Sequence, residues 1–297
     1  MKKILIIGGT GYIGYNLAKL LIKKNWSVTV ISVNRPKKSR LIKNVKYIKC
    51  NISNKNDVFK KIKERFYYVV NLGGYVDHVN KKKTFSTHFI GVKNLYNFFC
   101  SRNYKLRLFL QIGSSAEYGT TRSPHNENSK CNPKMIYGKS KLRATKFLLK
   151  KFKENAFPVC VFRYYQIFGP GQDLNRFIPI VINACKKNQD FPCSSGLQFR
   201  DFLYIGDAIE AIRKSLNNKK VIGKIINVAS GKPIQLKKII NFIKIKIKGG
   251  QPLFGQIKLR KDEPIKIYSK NKLAKNLLNW KIKNSFFKDL NKTLNEY

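Results

Sequence analysis

The first fourteen residues constrain this chain more than any other stretch. Lys2-Lys-Ile-Leu-Ile-Ile7 is a short apolar run rich in β-branched residues, and it leads into Gly8-Gly-Thr-Gly11-Tyr-Ile-Gly14. Beyond it, Tyr15 to Lys24 sets Leu17, Leu20 and Leu21 on one side of an amphipathic helix. Strand, glycine turn and helix, in that order, are the context of a dinucleotide-binding fingerprint. The glycines permit a tight turn and let backbone N–H groups approach a pyrophosphate at the positive end of the helix. Met1-Lys-Lys ahead of apolar residues also resembles the start of a secretory leader. The four apolar residues before the glycines are too few for its hydrophobic segment, so strand is the better reading.

The pattern continues. Strand-like segments fall at Lys3–Ile7, Ser27–Ser32, Val45–Cys50, Tyr67–Leu72, Arg107–Gly113 and Val159–Arg163, with helical segments at Tyr12–Lys24, Asn56–Arg65, Thr84–Arg102 and Lys134–Asn155. Such alternation predicts an α/β fold, a doubly wound parallel sheet of Rossmann type with helices on both faces. From Gln166 the rhythm breaks. Gly169-Pro-Gly-Gln172 reads as a loop, Phe177–Lys187 as a helix, Phe199–Tyr204 as a lead into a helix through Leu216, and Ile225–Ala229 as a late strand. After Gly231 the pattern is irregular until a helical tail from about Phe286. The expected organisation is a dinucleotide-binding domain over residues 1–165, to which 199–230 return. Residues 166–198 and 231–297 form a smaller, interleaved C-terminal substrate-binding cap.

Composition narrows the function classes. At 297 residues and 43% hydrophobic, the chain can bury a sizeable core, and no apolar run approaches the length of a membrane span. Six cysteines, at 50, 100, 131, 160, 185 and 193, form no C-x-x-C pair, and His78, His88 and His125 add no metal-ligand pattern. Reduced thiols and a cytoplasmic protein without a metal are the expectation. The 61 Lys and Arg against 15 Asp and Glu give a net charge of +46. Nucleic-acid binding would use such charge, but the lysines are spread along the whole chain, and Asn, Ile, Phe and Tyr are heavily used as well. Compositional bias is therefore the preferred reading, with some of the charge assisting a polyanionic ligand such as a nucleoside diphosphate.

One further pattern carries chemistry. Tyr137-Gly-Lys-Ser-Lys141 puts a phenol and an ammonium one helical turn apart, on one face. A lysine beside a tyrosine favours the phenolate, so the pair can exchange a proton with an alcohol or a ketone oxygen. With the fingerprint come Ser114-Ser-Ala-Glu-Tyr-Gly119, Pro124-x-x-Glu127, Pro133-x-x-x-Tyr137-x-x-x-Lys141 and Arg163 through Phe168-Gly-Pro-Gly-Gln172. Arg200-Asp-Phe-Leu-Tyr-Ile-Gly-Asp207 and Asn279-Trp280-Lys281 follow. Together, over nearly the full chain, these resemble the extended short-chain dehydrogenase/reductases, in particular the nucleotide-sugar epimerases, dehydratases and reductases. The resemblance implies catalytic roles for Ser114, Tyr137 and Lys141, with Ser115 next to the substrate. It implies cofactor contacts at Gly8, Thr10, Gly11, Tyr12, Ile13, Gly14, Ser32, Arg35, Asn51, Ile52 and Leu72, besides Tyr137 and Lys141. It also implies that Gln166, Arg200 and Arg260 bind a nucleotide-diphosphate sugar, and that the protein is a homodimer through Thr84–Arg102 and Lys134–Asn155.

Departures from the family pattern sharpen the expectation. Val30-Ile-Ser32-Val-Asn-Arg35 lacks the acidic residue that binds the adenosine ribose in NAD-preferring members, and Lys37-Lys38 follows, so the cofactor expectation leans from NAD to NADP. Asn51 stands for the usual aspartate near the adenine, and His88 for a common asparagine. Ser115-Ala116 occupy the two positions at which the 4,6-dehydratases carry an Asp-Glu pair, with Glu117 one residue displaced, so dehydration is not expected. The expected function is NAD(P)-dependent oxidoreduction at C4 of a nucleotide sugar, leaning to 4-keto reduction in surface-polysaccharide synthesis and resembling the CDP-abequose-synthase-like reductases. A nucleotide-sugar 4-epimerase with tightly held NAD is the alternative, and a non-catalytic dinucleotide sensor or RNA-binding relative the remote one.

Overall fold

The computed structural model describes residues 2–75, 77, 79–102, 104–259 and 263–297. Its strands begin with β1 (Lys3–Ile7), β2 (Ser27–Ser32), β3 (Val45–Lys49), β4 (Tyr68–Asn71), β5 (Leu108–Ser114) and β6 (Val159–Tyr164). They continue as β7 (Gln166–Phe168), β8 (Asp190–Cys193), β9 (Phe199–Tyr204), β10 (Ile225–Val228), β11 (Pro233–Gln235), β12 (Gln251–Phe254) and β13 (Lys266–Ile267). The helices are α1 (Tyr12–Lys23), α2 (Lys55–Lys61), α3 (Lys81–Phe85), α4 (Gly91–Ser101) and α5 (Ile136–Asn155). After them come α6 (Phe177–Lys186), α7 (Ile205–Ser215), α8 (Leu236–Ile247), α9 (Lys272–Leu278) and α10 (Phe286–Leu294).

Seven strands form one sheet in the order β10-β6-β5-β4-β1-β2-β3. The pairs β1–β2, β2–β3, β1–β4 and β4–β5 are parallel. Every residue of β4 and β6 is buried, as are Ile4–Ile7 of β1, because helices cover both faces. That double cover is why these strands read as unbroken apolar runs in the sequence. The order reverses between β1 and β4: the chain builds outward through β2 and β3 on one side, then through β4, β5 and β6 on the other. Doubly wound sheets bind ligands at the carboxyl ends of their strands at such a switch.

The chain divides into two compact units. The first comprises Met1–Gly119, Lys130–Arg163 and Ala211–Ile226, and the second Thr120–Ser129, Tyr164–Glu210 and Asn227–Tyr297. In the first, Leu5, Ile31, Val69, Leu95, Phe98, Phe109, Leu148 and Val161 share one buried core. The second has its own core of Phe168, Ile178, Ile182, Phe202, Ile239, Ile243 and Leu290. There β9 is the central strand, pairing with β7, β11 and β13, while β8 and β12 form a separate parallel pair. Residues 199–210 and 227–230 belong to the second unit and Ala211–Ile226 to the first. The partners of β9 come from later in the chain, at Pro233–Gln235 and Lys266–Ile267, which the local pattern of 199–204 does not announce.

The stretch after Gly231 is also more ordered than its sequence pattern suggests. Helix α8 spans twelve residues and buries Ile239, Ile240 and Ile243. Its Lys244-Ile-Lys-Ile247 end alternates with period two and is rich in β-branched residues, a strand-like signal. Burial of the first three isoleucines in the core that includes Ile178 and Ile182 of α6 overrides it. Among the described residues no helix is long and apolar enough to cross a membrane.

Phe98 is fully buried and packs edge-on against Phe59 and Phe99, with ring centroids 5.4 and 5.1 Å away. Phe98→Ala leaves a cavity where the relaxing core recovers little, so it is expected to lower the unfolding free energy by about 3–5 kcal/mol in urea titrations.

Candidate active site

The glycine turn closes on itself before helix α1 begins. Gly8, at φ +73°, donates from its amide to Ile31 O at 2.8 Å, and Gly11 N donates to Gly8 O at 3.1 Å. A Cβ on Gly14 would overlap Gly9 Cα, so α1 lies against the turn with no room for a side chain there. A Cβ on Gly11 would meet only Gly8 O, at an ordinary 3.4 Å, which leaves that side of the turn open to a ligand. Gly11 caps α1 with no side-chain hydrogen bond, and no acidic residue occupies the first turn, which holds Tyr12, Ile13 and Gly14. Helix starts of this kind leave backbone amides and a positive dipole end for an anion. These residues fit the pyrophosphate of a dinucleotide.

Around this turn, Thr10 Oγ1 donates to Ser32 Oγ at 2.9 Å, placing two hydroxyls at the end of β2. Arg35 is exposed, and the Arg40 guanidinium lies 5.9 Å over the Tyr12 ring. Asn51 is held on both sides: its amide donates to Asp57 Oδ2 at 2.9 Å and its side-chain oxygen accepts from Ser53 N at 3.0 Å. The Asn51 amide, followed by Lys61, holds the Asp57 carboxyl below its ordinary range. Ile52 is buried, and Leu72 N extends the ladder by donating to Ile7 O at 2.9 Å.

Ser114 ends β5 and caps the single 3-10 turn Ser115–Glu117. Its Oγ accepts from Ala116 N at 3.1 Å, while its amide donates to Glu117 Oε1 at 2.9 Å. Ser115 is half-buried within the turn, its carbonyl accepting from Tyr118 N at 3.1 Å. A Cβ on Gly138 would overlap Ala116 O, so the first turn of α5 rests directly on this turn. That contact sets the helix that carries Tyr137 and Lys141 on the turn that follows Ser114. As the spacing predicts, the two share a face: Lys141 Nζ lies 5.9 Å from the Tyr137 ring centroid. Lys141 is buried and donates to Ile112 O at 2.7 Å. Burial pushes its ammonium down from the ordinary 10.5 to about 8, opposed by the Glu117 carboxylate.

Two features had no assignment in the sequence. Between α3 and α4 the chain makes a π-helical turn, Ser86–Ile90, that carries the buried His88. The His88 ring stands edge-on to Tyr137, centroids 5.0 Å apart, and its Nε2 lies 3.3 Å from Tyr75 N. Glu117 and Arg163, in turn, form a fully buried ion pair: Nη2 and Nε reach Oε2 at 2.9 and 3.0 Å. Ser114-x-x-Glu117 is the serine-to-glutamate spacing of a capping box, a signal that was present in the sequence.

In the second unit, Gln166 is exposed on β7. Arg200 is buried, with Nη1 donating to Phe199 O at 2.9 Å and Pro264 O at 3.0 Å, and Nη2 paired with Glu263. Its neighbour Asp201 accepts from Ser230 N, Ser230 Oγ and Gly231 N at 2.6–2.9 Å. Arg260 lies outside the described residues.

The parallel sheet with its reversed strand order and the glycine turn define a dinucleotide-binding fold of Rossmann type. The chain belongs to the NAD-dependent epimerase/dehydratase family, whose model matches residues 4–229. It is 29% identical to a dTDP-D-glucose 4,6-dehydratase of Dictyostelium discoideum over 81% of this chain and 62% of that longer protein, of which it spans less than two thirds. It is 24% identical to the CDP-abequose synthase of Salmonella muenchen, over 99% of this chain and 97% of that one. The fold matches the structure of the UDP-glucose 4-epimerase of Thermotoga maritima with UDP-glucose. The TM-score is 0.91 at 21% identity, covering 99% of this chain and 98% of that one.

Lys141 gives the site a pH signature. Its folded pKa, about 8, lies below the ordinary 10.5, so between these values the unfolded chain binds the extra proton and stability rises with pH. Lys141→Met removes this contribution. The stability gained by the variant over the parent should therefore be largest at and below pH about 8 and shrink towards pH about 10.5, in paired denaturant titrations.

Proposed function

We propose that this protein transfers hydride at C4 of a nucleotide-diphosphate sugar, and that its net reaction is reduction of a 4-keto sugar with NADPH. What supports the reading is the Tyr137–Lys141 pair, whose lysine bonds Ile112 of β5, the strand that ends at Ser114, in the same unit as the glycine turn. The amides of Tyr12 and Ile13, at the start of α1, would hold the dinucleotide pyrophosphate, and the nicotinamide would supply the hydride when bound.

The chain's own part is protonic and electrostatic. Tyr137 gives its phenolic proton to the substrate oxygen at C4. Lys141, charged and in contact with the phenol ring, makes the resulting phenolate less costly. The Ser114 oxygen already accepts from Ala116 N, so its hydroxyl proton is directed away from that turn and donates to the same substrate oxygen. Glu117 is committed to Arg163 and to the Ser114 amide, and Ser115 and Ala116 carry no carboxylate. The turn thus offers no acid and base to expel water, which favours redox chemistry without dehydration.

The lean to NADP rests on the end of β2. Ser32, hydrogen-bonded to Thr10, puts a hydroxyl where a carboxylate would repel a 2′-phosphate, and the exposed Arg35 follows. Arg200 and Gln166 are proposed as substrate contacts, Arg200 by exchanging Glu263 for a diphosphate oxygen. Homodimer formation through α4 and α5 belongs to the same reading.

Two measurements test it. With a nucleotide-linked 4-keto-6-deoxy sugar, NADPH should be consumed one-for-one; turnover without added cofactor, with NAD co-purifying, would make the enzyme a 4-epimerase instead. Tyr137→Phe should lower kcat by about a thousandfold or more while dinucleotide affinity changes little. A variant as active as an active parent would remove Tyr137 from the proton transfer, and a parent that binds the dinucleotide without turnover would return the chain to the non-catalytic binders.

A further inference from the structure

The Glu117–Arg163 pair is the most enclosed pair of charges among the described residues, with side chains 0% and 2% exposed. Burying two charges costs more than their attraction returns unless further hydrogen bonds complete them. Here one further bond stands out. Glu117 splits its oxygens: Oε2 takes the guanidinium, and Oε1 takes the backbone amide of Ser114 at 2.9 Å. Gly113 makes room for this, since a Cβ there would overlap Oε1. Arg163 is clamped from its other face by the Tyr118 ring, whose centroid lies 4.6 Å from the guanidinium carbon. The carboxylate is thereby immobile, and it sits under the turn on which α5 rests.

We infer that Glu117 is a positioning residue of the active site: held by Arg163, its carboxylate fixes Ser114 through the backbone and lies against Gly113, next to the Ile112 carbonyl that takes the Lys141 ammonium. The inference rests on the proposed roles of Ser114 and Lys141. Tyr137 stands beside Lys141 on the same helix, with His88 of the π turn against the Tyr137 ring. Glu117 comes from the turn after β5, paired with Arg163 and near the thiol of Cys131. Among these charges Glu117 is the one that acts on the Lys141 ammonium, opposing its burial. A merely structural ion pair would support the fold without setting the protonation of a lysine on another element.

The test reads the lysine directly and needs no turnover. Lysine labelled at Cε is followed by NMR against pH, and the Lys141 signal is assigned by its loss in Lys141→Arg. In the parent it should titrate at about 8. In Glu117→Gln, which keeps an acceptor for Ser114 N but removes the charge, the midpoint should fall by about one unit or more. Because that variant strands a buried guanidinium, Glu117→Gln combined with Arg163→Met is measured beside it. Replacing both charges leaves none unpaired and preserves folding more readily. A smaller fall is expected there, because the Arg163 cation, which opposes the Lys141 ammonium, leaves together with Glu117. An unchanged Lys141 midpoint in folded Glu117→Gln would overturn the inference. Should the midpoint fall while no variant or parent reduces a keto sugar, the positioning role stands and the proposed reaction fails.

Discussion

Helix α5 lies on the turn after β5 with no side chain between them at Gly138, and the buried ammonium of Lys141 donates to the carbonyl of Ile112 in the strand. Much of the site depends on this contact. It sets the register of α5 against the strand, with Tyr137 one turn before Lys141 on the same face. It also lowers the ammonium's pKa, since a charge withdrawn from water is disfavoured unless it is bonded and balanced. The Ile112 carbonyl supplies the bond and Glu117 the balance. Geometry and proton affinity at this site are therefore two consequences of one piece of packing.

The net charge of +46 takes on a different meaning in this light. Among the described residues, Lys141, Arg163 and Arg200 are the buried cations. Each meets an oxygen: Ile112 O for Lys141, Glu117 for Arg163, and Glu263 with backbone carbonyls for Arg200. The remaining described cations are at least partly in solvent, where they cost the fold little and are screened by salt. The charge is thus a property of the surface. The three buried positive charges all fall within the sequence motifs that mark the family.

Much of the fold was legible because it rests on local rules. Lys3–Ile7 and Ser27–Ser32 are strands over the residues their β-branched runs mark, and α1 begins at Tyr12, directly after the glycines. Helix α8 was not legible. Its lysine–isoleucine alternation imitates a strand, and only burial of Ile239, Ile240 and Ile243 in the second core resolves it. The site divides in the same way. Tyr137 and Lys141 follow from helical spacing, whereas Glu117 read as a misplaced dehydratase acid until its bonds to Arg163 and Ser114 N were seen.

By itself, the sequence determined the strand–turn–helix start, the alternation that builds a parallel sheet, and the phenol–ammonium pair one turn apart. Each is a matter of residues close in the chain, governed by backbone periodicity and by the room a glycine leaves. Tertiary structure alone decided that Glu117 is paired with Arg163, forty-six residues on, and that Arg200 is engaged by Glu263. It also decided that Lys141 is buried deeply enough to titrate near neutrality. The physical reason is that charge is cheap in water and expensive out of it. The chemistry of these groups depends on how far packing removes them from solvent, which no local pattern encodes.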